Sequence, residues 1–387
     1  MGRCKFWMQQ QQSGSTGSSS QPCRSPAASQ PGRQRLQAGC LLYPGGRVEL
    51  PPPPPPGSVP FLFDTAAMPS RAQACAGCPK KEKPPLCCGV CIFEDRRCEQ
   101  LYPGQNRSEA TLALLLGAGH RFQDFTPCEL FQRIRGRTLW FMGDSQTWHY
   151  FYAAECFLRN FAPSLKRSPA LPSPANRELA VTWPVTVPPL CLKLALGTRV
   201  CAVRVDSVAD LTSKVLPKLH KLTPNFNRDI MVFNVGLHYP TPGVDGRPAH
   251  VSALVTHLKS FAAWRKRYRA ALPALVWMDT PVQHFTGHDG SYNGGQKPFR
   301  CAPLKAWDNG NPVVLGGGRH NVPVAPLIPL FADAHLRTWN ASVPLWDTHR
   351  PGECTHWCSP SAYHLWLYLL NGELRDSKLG GPVQIIP

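Results

Sequence analysis

Residues 137–145 read RTLWFMGDS, an apolar run that stops at a Gly-Asp-Ser turn. The run 137–141 is short and bulky, which predicts a strand buried on both faces. A helical pattern follows to about Asn160. Strand, turn and helix in that order lift the Ser145 hydroxyl off a strand's carboxyl end. They also set the N–H groups of the helix start, including those after Gly143 and Asp144, where an oxyanion can be held.

Outward from this unit the same texture repeats. Segment 190–205 predicts two strands turning at Gly197-Thr198, and 207–222 a helix. Segment 229–235 (DIMVFNV) is the clearest buried strand, 251–271 an amphipathic helix and 273–279 (PALVWMD) another strand. A Gly/Asn-rich loop is expected over 283–318, a last strand over 343–347 (VPLWD) and a closing helix over 361–370. The proline-broken stretch 163–189 reads as a long loop. Strands alternating with helices predict an α/β fold, a parallel sheet with helices on both faces. Active residues in such sheets gather at the carboxyl ends of the strands.

The chain has 387 residues, 43% hydrophobic, with 17 Phe and 11 Trp, which excludes a wholly disordered protein. No uninterrupted apolar run reaches the ~18 residues a membrane helix needs, so no transmembrane segment is expected in this chain. Membrane association is expected only if the amino terminus is incomplete. The net charge of +18 attracts polyanions, but no nucleic-acid-reading motif accompanies it, and nucleic acid is not the expected partner. The cluster Arg265, Lys266, Arg267 and Arg269 reads as one solvated helix face.

Three regions follow. Residues 1–70 are a low-complexity tail with Gln and Pro runs, expected to be disordered. Residues 71–127 form a cysteine-rich cap. There Cys75/Cys78 and Cys88/Cys91 fit either a zinc site or, more simply, a disulfide-stapled cap. Residues 128–387 hold the α/β pattern and are expected to be the catalytic domain, if the chain is an enzyme. Sixteen cysteines, with sequons at Asn106 and Asn340, suit a secretory-pathway protein. The tail lacks the apolar stretch of a secretory signal and, being basic and Ser-rich, also suits an organelle transit peptide.

A serine nucleophile needs a base, and the base needs an orienting acid. Segment 352–358 (GECTHWC) offers Glu353 and His356 at a spacing that lets carboxylate meet imidazole, with Cys354 and Cys358 placed to pin the loop. Asp347 and His349 form a rival pair, and spacing alone does not choose between them. Asn234, at the end of the 229–235 strand, either donates its amide to an oxyanion or serves as a turn or cap residue.

Four segments in this order resemble the trichome birefringence-like proteins of the PC-esterase branch of the SGNH/GDSL hydrolases. They are 139–145 (LWFMGDS), 229–236 (DIMVFNVG), 280–287 (TPVQHFTG) leading to Asn293-Gly-Gly295 and Cys301, and 353–358 (ECTHWC). The resemblance covers about 85–387. It implies a three-layer α/β/α fold and an O-acetyltransferase of Golgi polysaccharides working through a serine acyl-enzyme. It also implies Ser145 as nucleophile, His356 as base and Glu353 as acid, with Asn234 and the Ser145 N–H at the oxyanion and His284 near the substrate cleft. No metal or bound cofactor is implied; an acetyl donor is a co-substrate and a glycan the partner. A carbohydrate acetyl esterase and a non-catalytic glycan-binding relative are the alternatives. Glu353 stands where the family has Asp. Gln-Thr-Trp-His149 follows Ser145, and Ser-Pro-Ser-Ala-Tyr-His364 follows Cys358, where the family has other sequences.

Overall fold

The computed structural model describes residues 125–380, apart from 162–164, 166, 183–185, 238–250, 288, 293–297, 306–309, 359–361 and 378. It also gives the backbone of three two-residue strands, Gln34–Arg35, Leu41–Leu42 and Val48–Glu49, which pair antiparallel. The rest of the expected tail, and the cysteine-rich cap up to residue 124 with its candidate zinc pairs, lie outside the described residues.

The described chain begins with α1 (Pro127–Ile134). Thr126 and Glu129 cap it reciprocally, and Pro127 sits in its first turn. Then come β1 (Thr138–Gly143) and α2 (Ser145–Phe161). Strands β2 (Arg167–Pro169), β3 (Leu190–Lys193) and β4 (Arg199–Arg204) follow. A helical stretch over 208–222 ends in α3 (Leu216–Leu222). Next are β5 (Ile230–Asn234), α4 (Val251–Tyr268), β6 (Ala274–Met278), β7 (Ala334–Leu336) and α5 (Ala362–Asp376).

The seven strands form one sheet in the order β7-β6-β5-β1-β4-β3-β2. The five from β7 to β4 are parallel, and β3 and β2 join antiparallel, so the protein is α/β with a mostly parallel mixed sheet. Alternate residues of each strand feed two separate cores. Leu139, Phe141, Val232 and Val276 pack with α1, α2 and α5 on one face. Trp140, Met142, Phe233 and Trp277 pack with α3 and α4 on the other. Burial on both faces explains why these strands read as unbroken apolar runs rather than alternating ones. After β4 the chain crosses to the other side of β1, so strand order reverses at β1, where ligands bind in open α/β sheets.

Three expectations need correction. The 343–347 run is not a strand: Val343–Thr348 is a 3-10 segment with Pro344 in its first turn, and the last strand is β7. The 163–189 stretch is more than a loop. It holds the edge strand β2, where proline is tolerated, a short helix Ala175–Glu178, and the antiparallel pair Val181–Thr182 with Thr186–Val187. The basic cluster on α4 is not one solvated face. Arg265 is buried and paired with Asp333, and Arg269 Nη2 donates to the same carboxylate at 2.8 Å. Asp333 also accepts from Leu275 N at 2.8 Å, so the cluster ties the end of α4 to the β6–β7 edge.

Asp229 closes the amino ends of β1 and β5. Its carboxylate accepts from Thr138 N at 2.8 Å and Trp140 Nε1 at 2.9 Å. Burial pushes this carboxyl up to about 6 against those two hydrogen bonds. The folded state therefore holds the proton more tightly than the unfolded chain does. Stability from this group is greatest below the ordinary carboxyl value, falls as pH rises to about 6, and is flat above. The expected span is about 2–3 kcal/mol. Urea midpoints of Asp229→Asn should change less between pH 4 and 6.5 than those of the parent.

Candidate active site

Ser145 opens α2 directly after β1. The Asp144 carboxylate accepts from Gln146 N at 2.9 Å, and its carbonyl accepts from Thr147 Oγ1 at 2.9 Å and Trp148 N at 3.2 Å. Asp144 thus caps the helix, as an Asp at this position favours. Gly143 has φ +149°, and a Cβ there would stand 1.8 Å from Asn234 O, so only glycine lets β1 and β5 approach this closely.

The second half of the site is the 348–358 loop. Arg350-Pro-Gly-Glu353 forms a turn closed by Glu353 N donating to Arg350 O at 3.2 Å, with Gly352 at φ +73°. Proline followed by a glycine of positive φ suits a type II turn. The loop then doubles back: Arg350 N donates to His356 O at 3.0 Å and Cys358 N to Thr348 O at 2.9 Å. The Cys301–Cys354 disulfide, His284 N donating to Cys354 O at 3.1 Å and Phe299 N donating to Gly352 O at 3.2 Å fasten it to the 283–301 segment.

These two elements bring Ser145, His356 and Glu353 together. His356 Nε2 lies 2.8 Å from Ser145 Oγ, and His356 Nδ1 bonds Glu353 Oε1. Glu353 Oε1 also accepts from His356 N at 2.9 Å. With Nδ1 carrying a proton toward the carboxylate, Nε2 is left as the acceptor for the serine hydroxyl. Burial pushes the Glu353 carboxyl up. The His356 ring bond, the His356 charge and Arg350 outweigh that and hold it below its ordinary value. The extra methylene of Glu relative to Asp does not prevent the contact, because the turn brings the carboxylate back over the His356 main chain. All three residues are partly exposed, so a substrate can reach them.

The other expected residues are placed differently. His349 does not meet Ser145: it is buried, its Nδ1 faces His356 O at 3.0 Å and its Nε2 faces His284 Nδ1 at 2.6 Å. Asp347 is therefore not its ring partner. His284, expected near the cleft, is fully buried, with Nε2 on Val343 O at 2.9 Å. Asn234 turns its amide between β5 and β6. Its Nδ2 protons go to Met278 O at 2.8 Å and Thr280 Oγ1 at 3.2 Å, and its Oδ1 accepts from Gly236 N at 2.9 Å. It fastens the carboxyl ends of β5 and β6. Of the donors suggested by the sequence, the Ser145 N–H in the first turn of α2 remains.

Three site residues were missed. Gln146 is buried and bonds both Thr355 O at 2.7 Å and the Tyr363 hydroxyl at 3.0 Å, tying α2 to the base loop and to α5. His149 lies one helical turn after Ser145, edge-on to the His356 ring with centroids 4.9 Å apart. Arg350 Nη2 donates to His149 Nδ1 at 2.9 Å. Burial, then the charges of Arg350, His356 and Arg204, push His149 well below its ordinary value and keep it neutral. The signal available was the i, i+4 spacing of Ser145 and His149 on one helix face.

Among the described residues no group of three or more His, Cys, Asp or Glu is arranged to hold a metal, and no helix is long and apolar enough to cross a membrane. The chain matches no protein-family profile and no curated protein.

Because Cys354 lies between Glu353 and His356, reduction is expected to loosen the base. Labelling of Ser145 by a fluorophosphonate should slow about tenfold or more in excess thiol or in Cys301→Ser, with the helical circular dichroism signal retained. Unchanged labelling after verified reduction would show that the loop is held without the bond.

Proposed function

We propose that this chain is an O-acetyltransferase with an SGNH-hydrolase-like α/β/α domain, a divergent relative of the trichome birefringence-like PC-esterase family. It acts on a polysaccharide or other glycan of the secretory pathway. The observation that carries the reading is the Ser145 Oγ–His356 Nε2 contact of 2.8 Å with His356 Nδ1 on Glu353, at the carboxyl end of β1. The four family-like segments in order support the finer assignment. The disulfides Cys191–Cys201 and Cys301–Cys354 support an oxidising compartment such as the Golgi lumen.

In this reading Ser145 Oγ attacks the carbonyl carbon of an acetyl donor while its proton passes to His356 Nε2. Glu353 stabilises the imidazolium, and the Ser145 N–H faces the oxyanion. The tetrahedral adduct collapses, and the donor's leaving group departs with the proton from His356. A glycan hydroxyl then gives its proton to His356 and attacks the acetyl-serine; as that adduct collapses His356 returns the proton to Ser145 Oγ, so the acetyl ester passes to the glycan and the serine hydroxyl is regenerated. The partial exposure of Ser145 favours a second reading, a carbohydrate acetyl esterase, in which water replaces the glycan hydroxyl.

The test is active-site labelling with a fluorophosphonate, mapped by peptide mass spectrometry, followed by an isotope-labelled acetyl donor with glycan acceptors. Label on Ser145 and acetyl on the glycan support the transferase; free acetate alone supports the esterase. No label on a folded protein that still binds glycan after Ser145→Ala would make it a binding protein instead.

A further inference from the structure

Behind the base, three contacts run in series: Val343 O to His284 Nε2 at 2.9 Å, His284 Nδ1 to His349 Nε2 at 2.6 Å, and His349 Nδ1 to His356 O at 3.0 Å. The two ends of this chain are carbonyl oxygens, which only accept. His284 Nε2 and His349 Nδ1 must therefore both carry protons. Two neutral imidazoles have then used the two protons they possess, and the facing nitrogens are left with a lone pair each. A separation of 2.6 Å between them is a hydrogen-bond distance and needs a third proton.

We infer that His284 and His349 share a third proton between their facing nitrogens, and that this charged pair positions the catalytic base through the His356 carbonyl. The inference rests on reading His356 as the base. Both histidines are positioning residues, since neither faces Ser145. The surroundings favour the charge in two ways. The Trp357 indole is stacked on His349, with centroids 4.7 Å apart and planes 24° from parallel, and an aromatic face attracts a cation. Asp347, in the 3-10 segment that carries Val343, acts on His284 in the same sense. His356 is the other titratable group facing the pair, and its charge opposes the proton. Burial opposes it too, pulling His284 to about 4 and His349 well below its ordinary value. Against that, losing the proton leaves two buried lone pairs in contact, or turns a ring lone pair onto the Val343 or His356 carbonyl. One of the three contacts must then open, and the bond to the base loop is one of them.

The decisive measurement is nitrogen NMR of the full chain with labelled histidine rings, the two residues assigned by His284→Gln and His349→Gln. The expected result at pH 6 is three protonated nitrogens across the pair, with one far-downfield shared proton. Two neutral rings with one proton each would overturn the inference, whether or not Ser145 reacts. A second readout separates positioning from bulk. Gln at 284 has two amide protons, enough for both Val343 O and His349 Nε2 without a charge. His284→Gln should label at Ser145 within about twofold of the parent, and its rate should not follow the pair's ionisation. His284→Leu should label about tenfold more slowly, the cost of a missing buried hydrogen bond. Equal rates for Gln and Leu would also overturn it. A parent that never labels at Ser145 would remove the catalytic reading and leave the ring-proton count to decide the pair alone.

Discussion

Ser145→Ala is expected to abolish fluorophosphonate labelling, together with the acetyl transfer proposed for this site, and His356→Ala to slow labelling by roughly a thousandfold to ten-thousandfold. The alanine at 356 removes the acceptor 2.8 Å from the serine hydroxyl and leaves Glu353 without its ring partner. His349→Ala is the informative comparison. It removes a ring held behind the loop and not at the serine, so its effect should be about tenfold, the scale of one lost buried hydrogen bond. Rates measured side by side at one pH, with circular dichroism to verify folding, separate the two histidines that spacing leaves equal. If His349→Ala is the slower variant, the assignment of the base is wrong.

Gly143→Ala is expected to be the most damaging single methyl group in the sheet. A Cβ there meets Asn234 O at 1.8 Å and Thr147 Oγ1 at 2.6 Å, at a φ of +149°. The Thr147 side chain can turn away; the Asn234 carbonyl cannot, because it belongs to β5 in register with β1. Parting the two central strands should cost about 3 kcal/mol or more and displace Ser145, two residues on. Gly372→Ala in α5, where a Cβ meets nothing within 4 Å, is the control and should stabilise by up to about 1 kcal/mol. Urea midpoints of the two variants test the pair. A Gly143→Ala protein with the parent's midpoint would show that the strands can part without cost.

Most of the sheet was legible because burial on both faces writes an apolar run into the sequence, as in 229–235 and 273–279. The same signal misled at 343–347, where Val343 and Leu345 are buried but Pro344 opens a 3-10 segment. The approach of His356 to Ser145 and Glu353 was expected only through the resemblance of their segments, since spacing alone left Glu353 and His356 level with Asp347 and His349. His284, His349 and Asn234 were not legible. Their partners are set by tertiary contacts: His284 meets His349 across 65 positions, and the Asn234 amide meets Met278 O across 44. Arg265 was misread for the same reason, since Asp333 lies 68 positions away. A short-range pattern names what a residue can do; its distant neighbours decide what it does.

Gln146 bears on retargeting. On the proposed reading of Ser145 as a nucleophile, the residue beside it is an obvious place to diversify when a new acceptor is sought. Here that side chain is engaged at both ends, on Thr355 O and on the Tyr363 hydroxyl, and is shut away from solvent. A library at position 146 would mostly return variants with a displaced base rather than altered selectivity. Diversity belongs on partly exposed neighbours such as Thr355, where a new side chain can meet a ligand without unfastening the helix from the loop.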